Sequence, residues 1–469
     1  MPAGTTMQGD WDAYYTHQRI PILLMTTFEY VPQRFADDEL NIPESGNGLP
    51  DIVDEASWLI KMNYRLRKEL LLKGYSNGGV GGARICSDVY SDVDPNAETS
   101  GKPSWQETRR MLVTPADAFM TYLYAGQAAQ FAVILRKTGK NPEKWPVELL
   151  DAIAFNDMSY DTVNWVQEAE EAFAWASAEE NQPASNKNFA GKLFSYRAYA
   201  AANLFRLTGK TKYKSVVEAD LVAIKAISIP SAGDDDYWGL YSYALADNFN
   251  ADTTLISEIK STILGLADYR GLNQVEKRAL RWGNIWDFPM LVGQATTPVM
   301  FNNILAYAVT KDVDYYNTVH TTADYFLGTN PLHTTWITGV GTRGLDFCFH
   351  LDSRHINQNW RSYPGLIPYG PWSLANKSEP GEPSYGYDPV SFTIDGVVKQ
   401  GGKGTWNFAW FNFTTHPDIE TWPGHERLTN NIHSPLAMEF TVHQNTVHGA
   451  ISYGFVNGRE HANATAANK

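Results

Sequence analysis

The stretch LNIPESGNGLPDIVDEASW, from Leu40 to Trp58, predicts a tight turn that leads at once into a long amphipathic helix. Asn47-Gly48 is a turn dipeptide, and Pro50 suits the first position of a helix. Acidic side chains that follow favour a helix N-terminus, because they complement the positive end of the helix dipole. Apolar residues then recur at helical spacing, so we expect a helix from Leu49 to Leu71. The acidic residues are Asp51, Asp54 and Glu55, and the apolar ones are Ile52, Ala56, Leu59, Met62 and Leu66.

Two later segments, Thr114 to Gly139 and Ser185 to Gly209, share one design. Each begins with a Thr or Ser that can cap a helix, continues through an Ala-rich amphipathic stretch, and ends in Thr-Gly-Lys. Further helical patterns cover Asn302 to Val309 and Asp312 to Gly328, whereas strand signals are few, mainly Val390 to Val398. This recurrence predicts stacked helical hairpins in an all-α fold. The Gly-, Pro- and Trp-rich loops after about residue 328 are long enough to carry function.

The quoted stretch resembles the segment ESGNGxPDxLDEA of glycoside hydrolase family 9, a family of inverting cellulases. Nine residues match in order, and GTNP at Gly328–Pro331 and TGVG at Thr338–Gly341 resemble two further family segments. The resemblance implies an (α/α)6 barrel of helical hairpins with long functional loops, as a single catalytic domain over residues 1–469. The family's catalytic domain is already under way where this sequence starts, so the resemblance implies a domain truncated at its N-terminus, with either upstream strands or an immunoglobulin-like module missing. The nine are Glu44, Ser45, Gly46, Asn47, Gly48, Pro50, Asp51, Asp54 and Glu55.

Composition restricts the class of partner. The formal net charge of −14 over 469 residues argues against nucleic acid, which needs a basic face. No window of 18 consecutive apolar residues predicts a membrane span, and the N-terminus lacks the features of a signal peptide. The two cysteines, Cys86 and Cys348, are compatible with one bridge or with two buried thiols, and we favour the thiols. Aromatic residues make up 13%, and many lie in loop-like stretches where flat rings suit sugar faces.

The family's general acid is a Glu near the C-terminus, ahead of a segment rich in Asn and His and a final apolar helix. The matching stretch here is WPGHERLTNNIHSPLAMEFTVHQN, which assigns that role to Glu426. A general acid must be protonated near the working pH, so its surroundings must favour the neutral carboxyl. The alternatives are a non-catalytic Glu426 held by Arg427, and Glu439 as the acid.

The family's general base lies in an N-terminal Asp-Ala-Gly-Asp segment. The corresponding GDWD segment gives Asp10 the role of the base, with Asp12 as the fallback. The first Asp of the family segment is absent: either Met7 occupies its place, or Pro2-Ala3-Gly4 is the remnant. The alternative role for Asp10 is to cap a helix from Trp11 to Met25. In an inverting enzyme the two carboxyl groups lie roughly 6.5–9.5 Å apart, which leaves room for the attacking water.

His350 and Arg354 resemble the His-x-Arg signature whose side chains bind sugar hydroxyls in the family, although their spacing is longer here. Both offer directional hydrogen bonds. The alternative is a structural salt bridge between Asp352 and Arg354. The full set of expected sugar-binding residues is His350, Arg354, Asp12, Trp282, Trp286 and Tyr369.

No zinc spacing or phosphate-binding loop occurs in the sequence, and no metal ligand is assigned. Some relatives bind calcium through loop carboxylates, so calcium is the one cofactor that the resemblance leaves open. Asp234-Asp235-Asp236 is interpreted as a solvated acidic turn.

Three functions compete. The first is hydrolysis of β-1,4 bonds in cellulose or a related β-glucan, with inversion. The second is an exo-β-glucosaminidase of the same family, since an acidic site favours an amine. The third is a carbohydrate-binding homologue with impaired catalysis, which the missing Asp supports. In each case the partner is a polysaccharide or oligosaccharide, and the family implies a secreted or periplasmic location.

Overall fold

The computed structural model describes residues 11–12, 15–81, 84–86, 111–113, 115–150, 158–182, 192–229, 234–284, 297–348, 350, 353, 361–371, 391–394, 397–400, 405–408, 411–414, 423–426, 428, 430, 438, 440, 442 and 446–458. Helices dominate these residues, as the sequence predicts. The α-helices are α1 Arg19–Tyr30, α2 Asp51–Leu72, α3 Ala118–Lys137, α4 Trp165–Ser177, α5 Leu193–Thr208, α6 Thr211–Lys225, α7 Trp238–Tyr243, α8 Thr253–Ala267, α9 Asn273–Lys277, α10 Phe301–Thr310, α11 Val313–Phe326 and α12 Val447–Asn457.

The helices form hairpins that pack side by side, which confirms the barrel of helical hairpins. Helix α3 packs against α4 and α5, α5 against α6 and α7, and α10 against α8 and α11. Helix α12 closes the ring, because it contacts α1, α10 and α11. One hydrophobic core runs through these contacts from Ile20 to Phe455. The helix α3 is long and apolar enough to cross a membrane by length and composition alone, but its apolar window is wholly buried by its neighbours.

The strands are short, and among them β4 and β5 contribute Val147 and Val163 to the core. Strands β1, β2 and β3 form an antiparallel sheet in that order, β6 and β7 pair in parallel, and the other pairs are antiparallel hairpins. They are β1 Trp11–Asp12, β2 Arg84–Cys86, β3 Met111–Val113, β4 Trp145–Leu150, β5 Met158–Val163, β6 Thr335–Thr338, β7 Gly344–Leu345, β8 Ser391–Ile394, β9 Val397–Gln400, β10 Thr405–Phe408 and β11 Phe411–Thr414.

The helix boundaries correct several local expectations. Trp11 begins a strand, and the helix expected from Trp11 starts only at Arg19. Asp117, rather than Thr114, caps α3: its carboxylate accepts a hydrogen bond from the backbone N–H of Met120. Gly209 adopts the expected left-handed conformation at the C-terminus of α5, with φ of 68°. Ser185 lies outside the described residues.

The strand prediction near residue 390 is confirmed as the β8–β9 hairpin, while the β4–β5 hairpin was not predicted. Its alternation is weak, because Pro146 and Asp161 interrupt the apolar pattern. Cys348 is a buried thiol, as expected for that residue.

Candidate active site

Glu426 ends a short 3-10 helix, Gly424–Glu426, that follows Pro423. The backbone N–H of Glu426 donates to the carbonyl of Pro423 at 2.9 Å, and the Leu428 N–H donates to the Glu426 carbonyl at 2.8 Å. The side chain is neither fully buried nor fully exposed. Glu426 therefore sits on a tight turn that can present its carboxyl group to a substrate.

His425 anchors this turn to the helical barrel. The hydroxyl of Tyr325, at the C-terminal end of α11, lies 2.6 Å from His425 Nδ1. Burial raises the pKa of the Tyr325 phenol, so the hydroxyl keeps its proton. The hydroxyl donates to Nδ1 or accepts from it according to the tautomer of the imidazole, and the contact holds in either case. The barrel thus fixes the residue that precedes Glu426.

Trp282 completes the support of the turn. Its ring stacks on Tyr325 with centroids 5.1 Å apart and meets the edge of His425 at 5.6 Å. The guanidinium of Arg278 lies 3.9 Å from the Trp282 ring centroid. Only 4% of Trp282 is exposed, so most of its ring is occupied by protein contacts. The sugar-binding role expected of Trp282 stays a prediction, and its observed contacts with Tyr325 and His425 support the turn that precedes Glu426.

The Glu426 segment is joined to the segment that carries His350. Asn430, four residues after Glu426, accepts hydrogen bonds from the backbone N–H groups of Asp346 and Phe347, at 3.1 and 3.4 Å. Cys348 contributes a second link, because its thiol donates to the carbonyl of Met438 at 3.0 Å. The structure therefore brings the expected acid and one expected sugar ligand into neighbouring loops.

His350 is held in a defined orientation. Its Nδ1 accepts from the backbone N–H of Ser353 at 3.4 Å and lies 2.8 Å from the Ser353 hydroxyl. Its ring packs edgewise against Tyr363 and Phe440. With Nδ1 as the acceptor, the proton resides on Nε2, which is the arrangement needed to donate a hydrogen bond to a sugar oxygen.

The other expected site residues are described only in part. Tyr369 is 1% exposed, so its contact with a sugar also stays a prediction. The main chain of Asp12 lies in β1 opposite Arg84. Three expected site residues lie outside the described residues: Asp10, Arg354 and Trp286. Because Asp10 is one of them, the distance between the two expected catalytic carboxyl groups stays a prediction.

Two of the recognised motifs have structural roles. The buried amide of Asn330, in GTNP, donates to the carbonyls of Tyr325 and Thr334 at 2.8 Å each, and so binds the end of α11 to the next loop. Thr338, in TGVG, donates to the carbonyl of Tyr363 at 2.5 Å and accepts from the Leu366 N–H at 3.0 Å. Both motifs therefore hold the loops beside the candidate site.

The ESGNG motif is a turn organised by carboxylates. Asp37 accepts from the backbone N–H groups of Gly46 and Gly48, at 2.6 Å each. Asp51 accepts from three backbone N–H groups, those of residues 38 to 40, and from the Ser45 hydroxyl at 2.9 Å. Pro50 has an extended conformation and precedes the first helical residue, Asp51, instead of occupying that position itself. The motif thus shapes the entry to α2.

The same carboxylates form the arrangement most suited to a metal among the described residues. Asp37, Asp51 and Asp54 each offer an oxygen, and these oxygens lie within 4.8 Å of one another. Asp54 Oδ2 and Glu44 Oε2 are buried without a hydrogen-bond partner. Burial raises the pKa of Asp54 to about 7, against the opposing effects of Asn47 and Lys61. A set of hard oxygen donors with unsatisfied lone pairs suits calcium.

The acidic run at residues 234–236 is not a simple solvated turn, which corrects the expectation. Lys192 donates to Asp235 at 2.9 Å and to Asp236 at 2.5 Å, and Tyr196 donates to Asp235 at 2.9 Å. Asp236 is 5% exposed. The run fastens the start of α7 to the start of α5.

Comparisons with known proteins agree with this geometry. The family model described as Glycosyl hydrolase family 9 matches residues 22–397. A xyloglucan-specific endo-β-1,4-glucanase of Bacteroides ovatus is 25% identical over 79% of this chain and 62% of its own length. A cellulose 1,4-β-cellobiosidase of Acetivibrio thermocellus is 21% identical over 72% of this chain and 39% of its own length. The chain therefore spans less than two thirds of each of these relatives.

Solved structures show the same fold. A metagenome-derived glycoside hydrolase family 9 endoglucanase superposes with a TM-score of 0.64 and 19% identity, covering 95% of this chain and 69% of that chain. A single mutant of a thermostable endoglucanase from Alicyclobacillus acidocaldarius gives a TM-score of 0.67 and 16% identity, covering 96% of this chain and 74% of that chain. At these identities the likeness establishes the barrel architecture.

Proposed function

The chain belongs to glycosyl hydrolase family 9, and from this membership we propose that it hydrolyses β-1,4-glycosidic bonds in cellulose or a related β-glucan, with inversion. The observation that supports the proposal most directly is the position of Glu426. It lies on a turn fastened by His425 to Tyr325, next to the loop that carries His350. The named activities of the two relatives, on xyloglucan and cellulose, favour a β-glucan substrate.

In the proposed mechanism, Glu426 protonates the glycosidic oxygen of the leaving sugar. Asp10 removes a proton from the water that attacks the opposite face of the ring, so the anomeric configuration inverts. His350 and Arg354 hold sugar hydroxyls, and Asp12, Trp282, Trp286 and Tyr369 line or support the groove. Each proton transfer contributes typically 10²–10⁴-fold to the rate in enzymes of known mechanism.

We extend the proposal to two further properties of the protein. Residues 1–469 form a single catalytic domain, which is supported by the continuous core from Ile20 to Phe455. The protein works outside the cytoplasm, in a secreted or periplasmic location, because a polysaccharide substrate is found there.

The test is to replace Glu426 with Gln and to measure reducing-sugar release from carboxymethyl cellulose, xyloglucan and chitosan oligomers. The wild type is expected to act on a β-glucan, and Glu426→Gln is expected to lose at least about 100-fold in kcat, the lower end of general-acid catalysis. Glu69→Gln is the matched control, because Glu69 is an exposed residue of α2. NMR of the first product should show the inverted anomer.

Three outcomes would contradict parts of the proposal. A retained anomer would exclude the inverting mechanism. Turnover of chitosan oligomers alone would favour the exo-β-glucosaminidase. Binding of β-glucan without turnover, unaffected by Glu426→Gln, would favour a carbohydrate-binding homologue.

A further inference from the structure

A surface cavity of about 500 Å³ opens where the C-terminal ends of α2 and α4 meet the residues that precede α3. That volume is within the range of small-molecule sites. Its lining combines aromatic and polar side chains and includes Tyr75, Ser76, Asn77, Trp175, Glu180 and Asn181. No Lys or Arg occurs among the described residues that line it, so the cavity is unsuited to an anion.

The indole of Trp175 is fixed in the wall of this cavity. Its Nε1–H donates to the Asn77 side chain at 2.8 Å, and its own carbonyl accepts from Asn181 at 2.9 Å. A Cβ added to Gly79 would lie 2.5–2.6 Å from three atoms of the six-membered ring. Only glycine lets the backbone approach the ring so closely, so the loop is shaped to hold this indole.

Tyr75 stands at the rim with 77% of its surface exposed. Its backbone is nevertheless pinned, because the Tyr75 N–H donates to the carbonyl of Leu70 at 2.9 Å. A large ring that is fixed at its base and exposed at its face is suited to stacking against a flat partner with polar edges. Together with the amides and hydroxyl around it, this matches the faces and edges of a pyranose ring.

The cavity lies at the same end of the barrel as β1, which carries Asp12. Asp12 pairs with Arg84, Arg84 pairs with Val113, and a separate antiparallel bridge joins Gly81 to Ala116. Ala116 lines the cavity. Ala116 lies two strand spacings across the sheet and three residues along the chain from the level of Asp12. The dimensions of a β-sheet give a separation of roughly 10–14 Å. The cavity is therefore separated from Asp12 by more than one sugar residue.

We propose that this cavity is a distal subsite that binds a sugar residue of the β-glucan chain, several residues away from the bond that is cleaved. The inference rests on the proposed function. Tyr75 stacks on one face of the sugar, the edge of Trp175 forms the wall, and Ser76, Asn181 and Glu180 accept or donate hydrogen bonds at the rim. The subsite makes recognition depend on the length of the substrate, because a short oligosaccharide cannot occupy both the subsite and the catalytic groove.

The test compares kcat/KM on cellohexaose and cellotriose for the wild type, Tyr75→Ala and Phe249→Ala. Phe249 is the matched control, because it is an exposed aromatic residue outside the cavity. Tyr75→Ala is expected to lower kcat/KM on cellohexaose about threefold to tenfold, the scale of one aromatic contact, and to leave cellotriose unchanged. Tyr75→Trp should restore the rate, and Phe249→Ala should change neither substrate.

Gly79→Ala provides a second variant, since a methyl group there displaces Trp175 without removing an aromatic ring. It should give the same loss on cellohexaose only, with an unchanged far-ultraviolet circular dichroism spectrum. If Tyr75→Ala and Gly79→Ala leave the ratio of the two substrates at the wild-type value, the subsite is excluded while the proposed function stands. The proposed function, and the subsite with it, fails under a different result. In that case the wild type does not cleave cellohexaose, and its electrophoretic migration is not slowed by xyloglucan or hydroxyethyl cellulose in the gel.

Discussion

At the scale of single residues, the hydrogen bond between Tyr325 and His425 is the contact that connects the barrel to the Glu426 turn. Tyr325 is 1% exposed and is also stacked on Trp282, so its hydroxyl has a fixed direction. Because Tyr325 is almost wholly buried, we expect it to act through His425 and not by direct contact with the substrate. It positions the residue next to the acid, and its effect should appear in kcat more than in KM.

We expect Tyr325→Phe to lower kcat about twofold to tenfold, the typical net value of one hydrogen bond, with KM little changed. The ring stack on Trp282 is preserved in Phe, so only the bond to His425 is lost. The measurement is a full Michaelis–Menten series on the preferred β-glucan.

Tyr315→Phe is the control, because Tyr315 lies on the same helix and its hydroxyl donates to Asp268 at 2.8 Å, away from residues 424–426. An equal fall in kcat for both variants would mean that Tyr325 acts only through general stability.

At the scale of elements, the loop before α2 concentrates carboxylates whose charge is only partly compensated. Backbone N–H groups satisfy Asp37 and Asp51, but Asp54 Oδ2 has no partner. A calcium ion would supply the missing interaction, since it takes carboxylate oxygens in flexible geometry.

We expect millimolar calcium to raise the melting temperature of EDTA-treated protein by several degrees, because a ligand that binds the native state alone stabilises it. Asp54→Asn should abolish most of this increase. Magnesium is the control ion, since it demands a tighter octahedral site. An equal response of wild type and Asp54→Asn would exclude this cluster as the site.

A buried ion pair joins α1 to α5. Arg206 and Glu29 are 2% and 1% exposed at their side chains, and Arg206 Nη1 donates to Glu29 at 3.1 Å. Burial pushes the pKa of Glu29 upward, but Arg206 and Lys137 outweigh this and hold it below its ordinary value. The pair therefore stabilises the fold above the unfolded pKa of Glu, and this contribution is lost as the pH falls through the lower native pKa.

We expect Arg206→Met to lower the free energy of unfolding by about 3–5 kcal/mol at pH 7, because it leaves a buried carboxylate without its partner. The double variant with Glu29→Leu should recover much of this loss. Lys225→Met, which breaks an exposed pair with Glu258, should cost at most about 1 kcal/mol. Urea unfolding at pH 7 and pH 3 tests the direction of the pH dependence. The loss of unfolding free energy caused by Arg206→Met should be smaller at pH 3.

At the scale of the whole molecule, α12 closes the ring of helices. Phe455 is fully buried, and its ring meets Tyr307 and Tyr316 edgewise at 5.7 Å each. The guanidinium of Arg34 lies 5.0 Å from its ring centroid. Residues from the two ends of the chain thus share one packing cluster.

We expect Phe455→Ala to destabilise the protein by about 3–5 kcal/mol, the usual loss for a buried Phe. Fluorescence and circular dichroism should report the same lowered melting temperature, because the core is continuous. Phe249→Ala, at a fully exposed position, should leave it unchanged. A separate early transition for Phe455→Ala would mean that α12 detaches independently of the barrel.

The helical hairpins were predictable from local sequence, because apolar periodicity and helix-ending glycines act over a few residues. Gly209 and the helices at residues 51–72 and 313–326 are examples. The sequence also identified the family through the ESGNG motif. The local pattern did not identify Asp117 as the cap of α3. A residue caps a helix only if the helix starts directly after it, and here Asp117 accepts a hydrogen bond from the backbone N–H of Met120.

The residues that support the site are brought together by packing between distant parts of the chain. Tyr325 and His425 are a hundred positions apart, and no local pattern predicts that their side chains meet. The same is true of Tyr75 and Trp175, which are a hundred positions apart and line one cavity, where the Trp175 indole donates to Asn77. Local preference determines where a helix forms, while the burial of its faces against distant helices determines which side chains share a site.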